Sequence, residues 1–279
     1  MNHPAELAIN QYLEDATSGT SSMSEETITQ IGTDVMDAMR RQFGGGKGRD
    51  EFRLRMSNIG KPTCQLWFAK NKPETALPKP TTFVMNMLLG DIVEAAFKGI
   101  IKEAGVPYED KDNFVTLELG GETIKGSYDL VMDGALDDVK SASDWSYRNK
   151  FASYDTLAKS DPFGYVGQLA GYTKATGKKV GGWWVVNKAN GNIKYVPADG
   201  LVLDDEIAKL EETVKTVNDN KFERCFEPVP ETFRGKESGN MILNDNCKFC
   251  DFRFSCFDID EQPSLVSQAK TLPVVAYIR

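Results

Sequence analysis

The chain has 279 residues, 41% of them hydrophobic, and a formal net charge of −8. That length can enclose a sizeable core, and the acidic balance argues against a surface coated in non-specific nucleic-acid contacts while leaving room for a local basic groove. No apolar run approaches the roughly 20 residues of a membrane-spanning helix, and the single histidine, His3, falls in an expected tail, which excludes histidine triads and histidine zinc sites from the folded part.

Residues 1–26 are polar and carry a Ser/Thr/Gly stretch from Thr17 to Ser22. Met-Asn-His-Pro-Ala-Glu at the start has no basic-then-apolar leader pattern, so a cytoplasmic, reducing setting is expected, in a bacterial cell or a phage-infected host. Ile28, Ile31, Val35, Met36 and Met39 recur at helical spacing and predict a helix from about Ser24 to Gln42. Gly44-Gly-Gly-Lys-Gly48 then reads as a flexible linker. Residues 1–50 are therefore expected to be a helical, flexible extension, a contact for a protein partner or a second copy, with the main domain over 51–279.

Arg53–Ser57 reads as a short strand, and Lys61-Pro-Thr-Cys64 opens a short helix. Pro73, Pro78 and Pro80 make the next stretch a loop. Phe83, Met87, Leu88, Val93, Phe97 and Ile101 predict a long helix from Thr82 to Ala104. Strands follow at Phe114–Leu119, Ile124–Met132 and Ala135–Ser141, divided by Gly120-Gly121 and Asp133-Gly134. Asp161-Pro162 is placed to cap a helix that Gly177 stops. Gly182–Asn187 and Asn192–Val196 form a strand pair, and Asp204–Asn220 an amphipathic helix. The pattern predicts a mixed α/β (α+β) fold.

Asp133-Gly134 is the dipeptide that a two-residue hairpin turn favours. With that turn, Met132 faces Ala135 and Asp129 faces Asp138, and side chains so paired lie about 4.5–5.5 Å apart at Cβ. Two opposed carboxylates repel unless a cation lies between them. Lys140 projects from the same face as Asp138. Such oxygen donors suit magnesium or manganese, and a cation held there can activate water and stabilise a phosphate under attack. A solvated hairpin with Lys140 paired to Asp138 is the competing reading. Glu94, within an apolar helix, would supply a third carboxylate; Asp91 is the alternative, and a solvated helix position the plainer one. Gln168 and Tyr172 share a helix face at i and i+4, either to meet water or phosphate or as an ordinary boundary pair.

Five cysteines include Cys247-x2-Cys250-x5-Cys256 and, far upstream, Cys64. The odd, sparse set fits a disulfide framework poorly, and the C-x2-C spacing points to a metal centre tying two distant segments together; buried unliganded thiols are the bland reading. Zinc or an iron–sulfur cluster are both compatible with four thiolates.

In order the chain carries Cys64, Gly90-x3-Glu94, Gly126-Ser-Tyr-Asp129, Asp138-Val-Lys140, Gln168-x3-Tyr172 and the three-cysteine block. Over about residues 53–258 this series resembles the PD-(D/E)XK nuclease superfamily, in its RecB-like iron–sulfur branch: the CRISPR-associated RecB-like exonucleases, the AddB nuclease domain and related phage exonucleases. Glu94 stands where many relatives have histidine, Asp138 where glutamate is commoner, and Tyr128 where the name has proline. The resemblance implies a nuclease core with a central mixed sheet flanked by helices and a C-terminal iron–sulfur clasp. It implies a DNA exonuclease with Mg2+ or Mn2+ on Glu94, Asp129 and Asp138. Lys140 would assist the attacking water, Gln168 and Tyr172 would support the site, and Cys64, Cys247, Cys250 and Cys256 would hold a [4Fe–4S] cluster. Cys225 has no place in the pattern and is expected to be a structural thiol.

The interleaved Trp145, Tyr147, Arg148 and Lys150 suit stacking of unpaired bases and contact with their backbone; alternatively Trp145 and Phe151 cover the core. Lys70, Lys72 and Lys79 are further candidate phosphate contacts. A non-catalytic nucleic-acid-binding module with a structural metal centre is the second functional expectation.

Overall fold

The computed structural model describes residues 3–45 and 52–279, so the expected glycine linker lies for the most part outside the described residues. Pro4 opens α1 (Pro4–Ser18), where a missing N–H leaves nothing unpaired, and Gly19 closes it at φ 76°. Ser24 caps α2 (Glu25–Phe43) by accepting from the Thr27 N–H at 3.3 Å. After Pro62 come α3 (Thr63–Asn71) and α4 (Phe83–Glu103). Strands β1 (Tyr108–Glu109), β2 (Phe114–Leu119), β3 (Glu122–Ser127), β4 (Leu130–Met132) and β5 (Ala135–Ala142) follow. A helical crossover of α5 (Asp144–Arg148), α6 (Tyr154–Lys159) and α7 (Tyr165–Thr176) leads into β6 (Lys179–Asn187), β7 (Ile193–Pro197) and α8 (Leu203–Asn218). The C-terminal part holds β8 (Val229–Phe233), β9 (Lys236–Ile242), α9 (Arg253–Cys256), β10 (Ile259–Pro263) and β11 (Val274–Ile278).

The result is mixed α/β. A five-stranded sheet runs in the order β1-β4-β5-β6-β7, with β5 and β6 parallel and the other neighbours antiparallel. The parallel step is the one bridged by helices, as a parallel pair needs a long crossover. One face of the sheet presents Val131, Leu136, Trp183 and Val185 to Leu169 and Tyr172 of α7 and Leu210 and Val214 of α8. The other presents Leu130, Met132, Val139 and Trp184 to Phe97 and Ile101 of α4 and Ala5 and Ile9 of α1. Separate sheets form from β2 with β3 and from β10-β11-β9-β8.

Three expectations are corrected. The N-terminal segment is not an appended extension: Ile9 is 1% exposed within the second core cluster, and His3, expected in a tail, packs its ring against Trp184 and Tyr195. Apolar residues at helical spacing found a partner that local sequence cannot name. Gly99 allows this closeness, since a side chain there would collide with Ile31 of α2. The strand expected over 124–132 is two strands in different sheets, divided at Tyr128-Asp129, where Asn113 Nδ2 donates to the Tyr128 carbonyl at 2.6 Å and the ring turns into the core. Residues 53–57 form no extended strand; Arg55 bridges Lys125 in isolation.

Candidate active site and thiol centre

The hairpin has the anticipated turn. Asp133 and Gly134 take φ of 51° and 75°, the left-handed pair that a type I′ turn requires. Met132 faces Ala135 and Leu130 faces Asp137, so the same register brings Asp129, one residue beyond β4, opposite Asp138. Val139 donates its backbone N–H to Asp129 Oδ2 at 2.7 Å, fixing that carboxylate across the strand pair. Asp138 is 3% exposed, whereas Asp129 keeps a partly accessible surface although surrounded by protein. The β3–β4 break is what frees Asp129 from a regular ladder.

Asp138 and Lys140 point toward α7, on the face of Leu136 and Ala142. Lys140 Nζ lies 2.5 Å from Asp138 Oδ2, 3.4 Å from Gln168 Oε1 and 4.9 Å from the centre of the Tyr165 ring. Tyr172, one turn after Gln168 on α7, meets Tyr128 edge-on at 6.5 Å between ring centres. From α4, Glu94 adds a third negative charge acting on both aspartates, while its own Oε1 pairs with Lys98 at 2.8 Å. Glu94 and Lys98 also border a cavity of about 1020 Å³ between α2 and α4. Asp91 is turned to Gln42 Nε2 at 3.1 Å and Arg41.

Electrostatics follow from this crowding. Burial, and then the charges of Asp138 and Glu94, push the Asp129 carboxyl up to about 8. Burial raises Asp138 as well, against the pull of Lys140. Burial works against charge on Lys140, but Asp138 and Asp129 outweigh it and hold the ammonium on. Burial, with Asp129 next, raises the Tyr172 phenol. Three carboxylates thus face the ammoniums of Lys140 and Lys98, and the aspartates bear the excess as raised affinity for protons. Any hard cation would compete for the same excess.

Among the described residues, no three His, Cys, Asp or Glu side chains converge so as to hold a metal ion as they stand. The fit of a cation rests on donor chemistry. Asp138 Oδ2 is buried and lies in no hydrogen bond of proper geometry despite its nearness to Lys140. That oxygen, with Asp129 and Glu94, is an acceptor-only set of the type magnesium and manganese take.

On the other face of β5, Asp137 accepts from Gly182 N and Tyr195 Oη, both at 2.8 Å, and burial pushes its carboxyl up to about 7. Gly181 and Gly182 together face this one residue in a bulge; a side chain at Gly181 would collide with Asp137 Oδ1. Neighbouring carboxyls thus project to opposite layers.

The anticipated nucleic-acid contacts divide. Trp145 is 68% exposed and Arg148 is exposed, its Nε donating to Asp144 at 3.1 Å. Tyr147 is half-buried under the Lys194 ammonium, 4.2 Å from the ring centre. Lys150 does not reach outward: its side chain is 12% exposed, its Nζ sits 4.6 Å and 4.8 Å from the Phe163 and Tyr165 ring centres, and burial lowers its affinity for a proton. Phe151 is core. Lys70 donates to the Val217 carbonyl at 2.9 Å, Lys72 lies over Trp67, and Lys79 pairs with Asp251.

The helix α3, which carries Cys64, lies against the C-terminal segment through Phe68 stacked on Phe252 at 5.4 Å, and after it the Leu77 N–H donates to the Asp251 carbonyl at 2.8 Å. All five cysteines are free. Cys64 is influenced by Cys225 and Cys250, and Cys247 by Cys250, Cys256 and Cys225, so the thiols share one neighbourhood. Burial pushes Cys247 up to about 12 and raises Cys250 and Cys256. Donor type suits a thiophilic metal, zinc or iron–sulfur.

Sequence reasoning missed Lys98, Tyr165 and the setting of Cys225. The first two carried a signal: Lys98 is i+4 from Glu94, and Tyr165 is i−3 from Gln168. Cys225 carried none, since its partner is 161 residues away.

No protein-family model matches the chain and no curated protein is similar to it. Among solved structures, the crystal structure of SSO0001 is similar over 81% of this chain and 94% of its own, at 12% identity and a TM-score of 0.45.

Proposed function

We propose that the chain is a divalent-metal-dependent DNA exonuclease of the PD-(D/E)XK type, in the RecB-like branch, hydrolysing phosphodiester bonds in single strands or at DNA ends during recombination, repair or phage DNA turnover. The observation that carries this reading is the opposed, crowded Asp129/Asp138 pair with Lys140 against it and Glu94 adding charge. Asp129, Asp138 and Glu94 are the residues to hold Mg2+ or Mn2+, and Cys64, Cys247, Cys250 and Cys256 a [4Fe–4S] cluster, with zinc the alternative. A bound divalent ion would activate water and offset charge building on the phosphate.

The chain's own residues supply the rest. Asp129 is oriented by the Val139 N–H before any ligand arrives. Lys140 stays protonated, so it serves as a fixed cation beside the phosphate and not as a base. Gln168 and the Tyr165 ring hold that ammonium in place. Trp145 offers an exposed ring for stacking an unpaired base.

Labelled single-stranded and duplex DNA, blocked at the 5′ or the 3′ end, tests this with Mn2+ and with chelator. Cleavage with Mn2+ and none with chelator is expected, falling about 10²–10⁴-fold or more in Asp129→Ala and Lys140→Ala while circular dichroism is unchanged. DNA binding without turnover would favour the non-catalytic module instead. Full activity in either variant refutes the site.

A further inference from the structure

Cys225 stands outside the four-cysteine pattern, yet it is placed among those thiols. The Cys64 backbone N–H donates to Cys225 Sγ at 3.1 Å. Cys64 is the second residue of α3, so the first turn of that helix offers an amide donor to Cys225. Amide hydrogens directed at sulfur stabilise a thiolate and are a feature of metal–thiolate centres.

The remaining neighbours sharpen the point. Phe226, next to Cys225 in sequence, packs together with Cys256 against the cluster of Leu243, Cys247 and Phe257. Arg224 braces this placement: its Nη2 donates to the Cys256 carbonyl at 2.8 Å and its guanidinium lies 4.8 Å from the Phe257 ring centre. A four-thiolate centre formed here has five candidates for four places. Two of them, Cys64 and Cys225, meet at the start of α3.

We propose that Cys225 is a ligand of the thiol-held metal centre, exchangeable with Cys64. This rests on the reading of the cysteines as a metal centre given above. A centre with a spare thiolate can lose one ligand without losing its metal, and the displaced sulfur stays within reach to return.

The test uses the full chain, purified without oxygen and supplied with iron and sulfide or, separately, with zinc. Iron, sulfide and zinc per chain and absorption near 400 nm are measured for the native protein, Cys64→Ser, Cys225→Ser and the double variant. Each single variant is expected to retain most of the native metal and the double variant to lose most of it. Cys64→Ser as empty as the double variant overturns the proposal while leaving the metal centre standing. A native protein that takes up neither metal overturns both. Alkylation of the loaded native protein, read by mass spectrometry, needs no variant: Cys64 and Cys225 should each be protected in part. Full protection of Cys64 with complete alkylation of Cys225 contradicts exchange.

Discussion

Asp137 and Asp138 are adjacent in sequence and have opposite surroundings. Asp138 shares its layer with Lys140 and Asp129, while Asp137 lies under Tyr195 and the Gly182 N–H with no cation beside it among the described residues. The Asp137 carboxyl is therefore protonated in the folded chain up to about pH 7 but only to about pH 4 when unfolded. The unfolded state releases its proton first as pH rises, so this residue favours folding at pH 4 and loses that contribution as pH climbs to 7, by a few kcal/mol at most. Asp137→Asn keeps the acceptor for Gly182 and should flatten the fall. Urea midpoints of both proteins at pH 5 and pH 7.5 would check this; parallel pH profiles would contradict it. The chemistry of these carboxyls was partly legible, because Asp133-Gly134 announces its turn and the turn dictates facing pairs. That Asp137 is equally buried was not legible, since its partners Gly182 and Tyr195 are 45 and 58 residues away.

Elements position the site through close backbone approaches. Gly164, at φ 77°, caps α7 against Gly60, and a side chain on it would meet the Gly60 carbonyl carbon at 2.3 Å. Gly164→Ala combines left-handed strain with this collision and should destabilise the protein by about 2–4 kcal/mol. Because Gln168 donates its own N–H to the Gly164 carbonyl, cleavage should fall with it, and thermal melts beside turnover rates would show both. Asp161 supplies the capping expected of it, accepting from the N–H groups of Gly164 and Val166 at 3.1 and 2.8 Å, though α7 itself starts at Tyr165. The helices α2, α4 and α8 were readable from their apolar period to within two residues, whereas α1, in a stretch read only as polar, was not. The division of β3 from β4 and the C-terminal sheet were not, because strands such as Lys236–Ile242 are short and largely polar and owe their pairing to partners remote in sequence.

At the scale of the molecule, the N-terminal helices complete one of the two layers around the sheet. Ile9→Ala should cost about 2–5 kcal/mol, the amount for emptying a closed core position, whereas an appended helix would tolerate it. A melting temperature unmoved by Ile9→Ala would return α1 to the status of an extension. The two layers meet along the β4–β5 pair: α4 brings Glu94 from one side, α7 brings Gln168 and Tyr172 from the other. The sequence shows these residues in order but not that the helices carrying them sit on opposite layers.

Charge left over between those layers is the centre of the account, and binding of Mn2+ at pH 8 by the full chain, followed through the resonance of the free ion, measures it directly. The native protein should bind Mn2+ tightly at this site, and Asp129→Asn and Asp138→Asn should each weaken that binding at least about tenfold, the scale of one lost carboxylate ligand. Native protein that leaves Mn2+ free, or variants that bind as well as native, would contradict it.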